Sequence, residues 1–163
     1  MANGCAGVDL SKKIIIDDYS LLEQKRCFSR FWKEADFKLD DHRTFFIETV
    51  SADPKVQNVF VAGVKAALER SKLKSTTKGE ADLTVKIAVV DYKDNSPGAQ
   101  MVAAWLLFFN WGIGNAYIDA EVVIIANSTG KEVVKVRHKQ TGLNLFRATK
   151  GYAECFEETL KST

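Results

Sequence analysis

Hydrophobic and polar positions follow regular periods along most of this chain, and each period predicts an element. Residues 44–50 crowd aromatic and β-branched side chains (Thr44, Phe45, Phe46, Ile47, Thr49, Val50) and read as a strand. Asp53 is a good N-cap and Pro54 suits a first helical position. Val56, Val59, Phe60, Gly63, Val64, Ala67 and Leu68 then recur at helical spacing, with Lys55, Asn58, Lys65, Glu69 and Arg70 largely on the other side. This predicts an amphipathic helix lying on a sheet, with Gly63 allowing close approach to a strand. Residues 81–92 read as a strand, with Leu83, Val85, Ile87 and Val89 on one face and Asp82, Thr84, Lys86 and Ala88 on the other. Residues 116–127 do the same, Ile118, Ala120, Val122 and Ile124 against Tyr117, Asp119, Glu121 and Val123. Asn127 to Gly130 is a hairpin turn signal, with Gly130 suited to positive φ. Residues 132–139 return as the partner strand, with Val134, Val136 and His138 on one face and a turn at Thr141 and Gly142. Arg147 to Leu160 reads as a closing helix with Ala148, Tyr152, Cys155, Phe156 and Leu160 on one stripe.

The N-terminal third admits two readings. Ser20 followed by Glu23 fits a capping box, and Leu21, Phe28, Trp32 and Ala35 would then share a helical face. Aromatic crowding over residues 28–37 favours an extended segment instead. Asp40, Asp41 and His42 read as a turn. The order strand, helix, strand, strand, strand, helix predicts an α+β fold. It is a small two-layer sandwich, a mixed or antiparallel sheet of about four to five strands with helices packed on it. Residues 1–13 read as a flexible tether and 14–163 as a single domain, since 163 residues suffice for one core.

One stretch breaks the pattern. Nothing between Asp94 and Asp119 is charged, and two of the three tryptophans, Trp105 and Trp111, lie there. Ser96 and Pro97 suit the start of a helix running to about Phe109, ended by Gly112 and Gly114. Such a helix is apolar all round and must be covered. Three readings stay open for residues 101–113: packing on the domain's own sheet, an oligomer or partner interface, or membrane contact. Trp, Phe and Met favour interfaces, which makes Met101, Trp105, Leu106, Phe108, Phe109 and Trp111 the candidate interaction surface. The continuous apolar core is too short for a spanning helix, which needs roughly 20 residues.

Composition narrows the classes. Lys plus Arg number 23 and Asp plus Glu 21, so a net charge of +2 gives no electrostatic case for nucleic acid. The only histidines, His42 and His138, have no Cys, Asp or Glu at ligand spacing, so no metal or cofactor is expected. Gly112 and Gly114 form a lone G-x-G before a strand, without the strand-to-helix setting of a phosphate cradle. Asp17–Asp18 and Asp40–Asp41 read as turn and cap residues rather than acid/base pairs, and no catalytic residues are assigned. Lys131, Lys135, Arg137 and Lys139 read as a solvated basic sheet edge guarded against aggregation. Of the three cysteines, Cys27 and Cys155 read as buried or idle thiols, or else as a disulfide if the protein is exported. Gly4-Cys5 fits the end of a bacterial lipoprotein signal, with Cys5 the lipidated residue and Met1 to Asn3 standing in place of the apolar leader.

Several fragments fall into a familiar order: Gly4-Cys5-Ala6, then Asp18-Tyr19-Ser20-Leu21, Phe31-Trp32-Lys33 and residues 45–50. Residues 59–68, 81–85, 114–116 and 127–131 follow in turn. In this the chain resembles a family of uncharacterised bacterial outer-membrane lipoproteins. That family is related to the curli-secretion lipoprotein and the N-terminal domain of TolB. Its turn motif is usually D-A-x-T-G-K/E, from which Asn127 and Ser128 depart. The resemblance implies a small α/β sandwich, a lipid anchor at Cys5, a periplasmic location at the outer membrane and, for several members, ring assembly. It supplies no catalytic residues. The resulting expectation is a non-enzymatic envelope lipoprotein acting through self-assembly or contact with another envelope protein. The competing expectation is a small-molecule or glycan-binding module with an aromatic-lined pocket.

Overall fold

The computed structural model describes residues 14–24, 27–51, 53–94 and 116–161. Their strands are β1 (Arg30–Lys33), β2 (Thr44–Ser51), β3 (Lys74–Ser75), β4 (Leu83–Lys93), β5 (Ala116–Ala126) and β6 (Lys131–Gly142). Their helices are α1 (Pro54–Arg70), between β2 and β3, and α2 (Leu145–Lys161), after β6.

The six described strands form one mixed sheet in the order β1-β6-β5-β4-β2-β3, rather than the expected four to five. The extra strands are short edge pieces whose partners are remote in sequence, β1 on β6 and β3 on β2. β2 and β4 run parallel and are joined through α1, as a parallel pair requires a crossover. The other main pairs are antiparallel.

The alternation reads directly into layers. Leu83, Val85 and Ile87 of β4 pair in register with Ala126, Ile124 and Val122 of β5. Val122 and Ile124 in turn face Val136 and Val134 of β6. These side chains meet Val56, Phe60, Val64, Ala67 and Leu68 of α1 and Ala148, Tyr152, Phe156 and Leu160 of α2 in one core. Phe60 and Tyr152 cross edge-on at 4.8 Å between ring centroids, and the Tyr152 hydroxyl donates to the Ala120 carbonyl at 3.2 Å. Full burial of one such side chain contributes about 1.5–3 kcal/mol.

Local chemistry sets the element ends. Gly130 takes φ +69° in the β5–β6 turn. Asn144 caps α2, its side-chain oxygen accepting the Arg147 N–H at 2.8 Å. Three expectations are corrected. The helical reading of the N-terminal third fails: Ser20 serves an Asp18 turn instead of a cap, Glu23 bridges to Phe31, and Arg30–Lys33 is extended. Thr141 and Gly142 continue β6 rather than turning. Gly63 faces α2 and not a strand, since a Cβ there would lie 3.2 Å from the Thr149 methyl and 3.5 Å from Ala153 Cβ.

Candidate functional site

The face of the sheet away from the helices carries Tyr117, Asp119, Glu121 and Val123 of β5 beside Thr141, Lys139, Arg137 and Lys135 of β6. Alternation alone makes this the wet side. Yet Glu121 is fully buried, because residues 14–19 cross over it.

Every donor around that carboxylate is aimed at it. Glu121 Oε2 accepts the Ile15 and Ile16 backbone N–H groups at 2.7 and 3.1 Å. Oε1 accepts the Tyr19 hydroxyl and Arg137 Nη1 at 3.2 Å. Arg137 also donates to the Tyr19 oxygen at 2.8 Å and, through Nη2, to Asp119 at 3.1 Å. The guanidinium groups of Arg30 and Arg137 lie 5.1 and 5.5 Å from the Tyr19 ring centroid, within cation–π range. A buried carboxylate is tolerated here because it is both paired and hydrogen-bonded.

The electrostatics follow this geometry. Burial, then the Glu121 carboxylate, pushes the Tyr19 phenol above its ordinary value of 10.0, against the opposing pull of Arg137. Burial alone would lower Arg137, but its bonds to Asp119 and Tyr19 hold it above the ordinary arginine range. Such a site holds a chain segment in place. Its carboxylate has its acceptor capacity filled and offers no free group for acid/base work.

Alternation along β5 puts Glu121 on this face but says nothing of its role, and the sequence reads Arg137 as part of a solvated edge. That reading is corrected for Lys135 and Arg137, since β1 pairs along Val134–Arg137 and puts this part of β6 inside the sheet, while Lys131 and Lys139 stay exposed. Lys135 packs over Trp32 at 5.7 Å and Lys139 over Tyr117 at 3.7 Å from ring centroids. The available signal was the run Asp18-Tyr19-Ser20. Asp18 accepts both the Ser20 N–H (2.8 Å) and hydroxyl (2.9 Å), and the turn this fixes delivers Tyr19 to Glu121.

Cys27 and Cys155 are brought together. Both are free thiols, within hydrogen-bonding reach of each other, and Cys27 Sγ also donates to Glu158 Oε2 at 3.5 Å. Burial, then the Cys27 contact, raises the Cys155 thiol well above its usual range. Beside them Phe28 is buried against His138, Tyr152 and Phe156 at 5.3, 5.5 and 6.4 Å. His138 bonds Ser29 and Gln140 through its two ring nitrogens. Among the described residues no group of three His, Cys, Asp or Glu side chains is placed to hold a metal, and no helix is long and apolar enough to cross a membrane. Cys5 and the expected interaction surface, Met101, Trp105, Leu106, Phe108, Phe109 and Trp111, lie outside the described residues.

No family model matches the chain, and no curated protein does. Solved structures share its fold. The PelC dodecamer from Paraburkholderia phytofirmans superposes with a TM-score of 0.54 at 12% identity, covering 78% of this chain and 96% of that one. A PDZ domain protein from Parabacteroides distasonis gives 0.51 at 12% identity, over 79% of this chain and 34% of that one. Lipoprotein GNA1162 from Neisseria meningitidis aligns more weakly, at a TM-score of 0.44 and 10% identity, over 74% of this chain and 96% of that one, too low to speak for the fold.

Proposed function

We propose that this protein is a non-enzymatic lipoprotein of the bacterial envelope that works by self-assembly. Cys5 carries the lipid, residues 1–13 form the tether, and Met101, Trp105, Leu106, Phe108, Phe109 and Trp111 make the contact between copies. The observation that carries this reading is the setting of the uncharged run. It is rooted on β4 and β5, whose helix-side faces are already buried beneath α1 and α2. Among the described residues the sheet and the two helices cover one another, and a long aromatic run without charge still needs burial.

Two features support the anchor. Gly4-Cys5 has the form of a lipidation site. The chain is also gripped at Ile15, Ile16 and Tyr19 by Glu121, so residues 6–13 span at most about 30 Å between lipid and domain. The domain would then sit close to the periplasmic face of the outer membrane. Assembly of copies draws support from the fold shared with the PelC dodecamer.

Light scattering on the unlipidated protein, with and without mild detergent, tests the proposal. A defined oligomer is expected in both, and Trp105→Asp with Phe109→Asp should return a folded monomer. A wild-type monomer in both conditions overturns self-assembly. A double variant that unfolds would put those side chains in the core.

A further inference from the structure

The two helices lie side by side with their N-termini at one end of the sheet. Tyr92 at the end of β4 donates to Asp53 beside the start of α1 at 2.6 Å, and Asp94 accepts the N–H of Leu145 at the start of α2 at 3.2 Å. The small residues at the seam, Gly63 against Thr149 and Ala153, bring the helices close. On their outer side they leave an open groove of about 710 Å³. Its floor is apolar, from Val59, Ala62, Gly63, Ala66, Ala153 and Phe146. Phe146 is 64% exposed, and Leu143 just before α2 is 50% exposed. The charges on the rim are already paired: Arg70 with Glu157 at 2.5 Å and Lys150 with Glu154 at 3.7 Å. An occupant with charges would gain little there and would cost those pairs their solvent. A neutral, aromatic occupant matches the groove.

We infer that this groove receives the 101–111 segment of a second copy of the chain, with Trp105, Phe108, Phe109 and Trp111 on the groove floor. The inference rests on the self-assembly reading above and names the surface that completes it. The chain supplies an occupant of the right character, since residues 95–118 carry no charge at all. Reach agrees too. Six residues lie between Asp94 and Met101, an extended span of at most about 25 Å over the seven Cα steps, while Val59 to Ala66 is about 10 Å of helix. The donor segment and the acceptor groove are different surfaces of one molecule. Their pairing is therefore head-to-tail, and it propagates until a ring closes.

Head-to-tail pairing has a signature that symmetric pairing lacks. An acceptor-dead variant, Ala62→Arg with Phe146→Glu, alters two exposed positions and keeps the donor. The donor-dead variant, Trp105→Asp with Phe109→Asp, keeps the groove. Circular dichroism and thermal melting confirm that each is folded. Light scattering should find each alone to be a monomer, and an equimolar mixture to be a one-to-one dimer that goes no further. An acceptor-dead variant that keeps the wild-type oligomer mass overturns the groove while leaving self-assembly intact. So does a mixture that stays monomeric beside an oligomeric wild type. A wild-type monomer overturns both readings. If in that monomer Ala62→Arg with Phe146→Glu shifts tryptophan fluorescence to the red, the groove instead holds the chain's own segment.

Discussion

The two faces of the sheet are closed by different physics. On the helix side, Phe45, Phe60, Val64, Val85, Val122, Ile124 and Phe156 are fully buried and interlock without a charge. Hydrophobic burial of this kind is non-directional and summed over area, so no single residue organises it. On the other side a short segment, residues 14–19, is held by a single carboxylate and its four donors. Hydrogen bonds and charges are directional, and removing one partner strands the rest. The helix face is robust because it is redundant. The strap face is specific because it is not, and it is the face through which any pull on the N-terminus reaches the domain.

The largest expected effect cuts into the redundant face. Phe156→Ala should destabilise by about 3–5 kcal/mol, a loss that urea denaturation would register equally in low and high salt. A loss below 1 kcal/mol would show that α2 does not close the core.

Next is the organising carboxylate. Glu121→Ala leaves Arg137 half-buried with only Asp119 and the Tyr19 hydroxyl as partners and frees two backbone N–H groups, at an expected cost of about 3 kcal/mol. Hydrogen exchange should show residues 14–22 losing protection while β4 and β5 keep theirs. Uniform loss across the sheet would mean that the two faces are not separable.

Comparable in size is a stitch between the faces. Cys27 follows the strap in sequence and lies beside Cys155 and Glu158 of α2. Exchange with a disulfide donor, two thiols giving up two protons and two electrons to reduce the donor's disulfide, would join them. The bond should add about 2–5 kcal/mol, seen as a lower melting temperature after reduction. Cys27 and Cys155 both remaining reactive after treatment with oxidised glutathione would rule out the bond.

Tyr19→Phe should cost about 1 kcal/mol at neutral pH. Because the folded phenol is raised above 10.0, its contribution is complete below about pH 10 and is lost as pH rises through the folded value. Wild type should therefore lose stability at high pH faster than the variant does. Parallel alkaline profiles would remove Tyr19 from the strap.

The smallest effect is at Asp82. Its carboxylate accepts the Arg43 and Thr44 N–H groups at 2.7 and 2.9 Å, and these bonds lower its proton affinity. A lowered folded value gives stability that is present above about pH 4 and lost as pH falls through it. The group is exposed, so Asp82→Asn should cost under about 1 kcal/mol, and only above that pH. An equal loss at pH 2.5 would point to lost packing instead.

Sequence by itself determined the elements and their faces. The alternation at Leu83 to Val89 and at Ile118 to Ile124, the stripe from Val56 to Leu68, and Gly130 in its turn all state local periods. A local period is a property of neighbouring residues and needs no knowledge of the fold. What lies against each face was decided by tertiary structure alone. Glu121 reads as wet because its alternation is right and its cover comes from a segment about 100 residues away in sequence. Arg137 reads as an edge cation because nothing near it announces that β1 will pair outside β6. Gly63 reads as facing a strand because the helix period names a face and not the neighbour upon it. Cys27 and Cys155 read either as idle thiols or as a disulfide, and only the fold sets them side by side. In each case the deciding contact joins residues remote in the chain, where covalent order carries no information about distance.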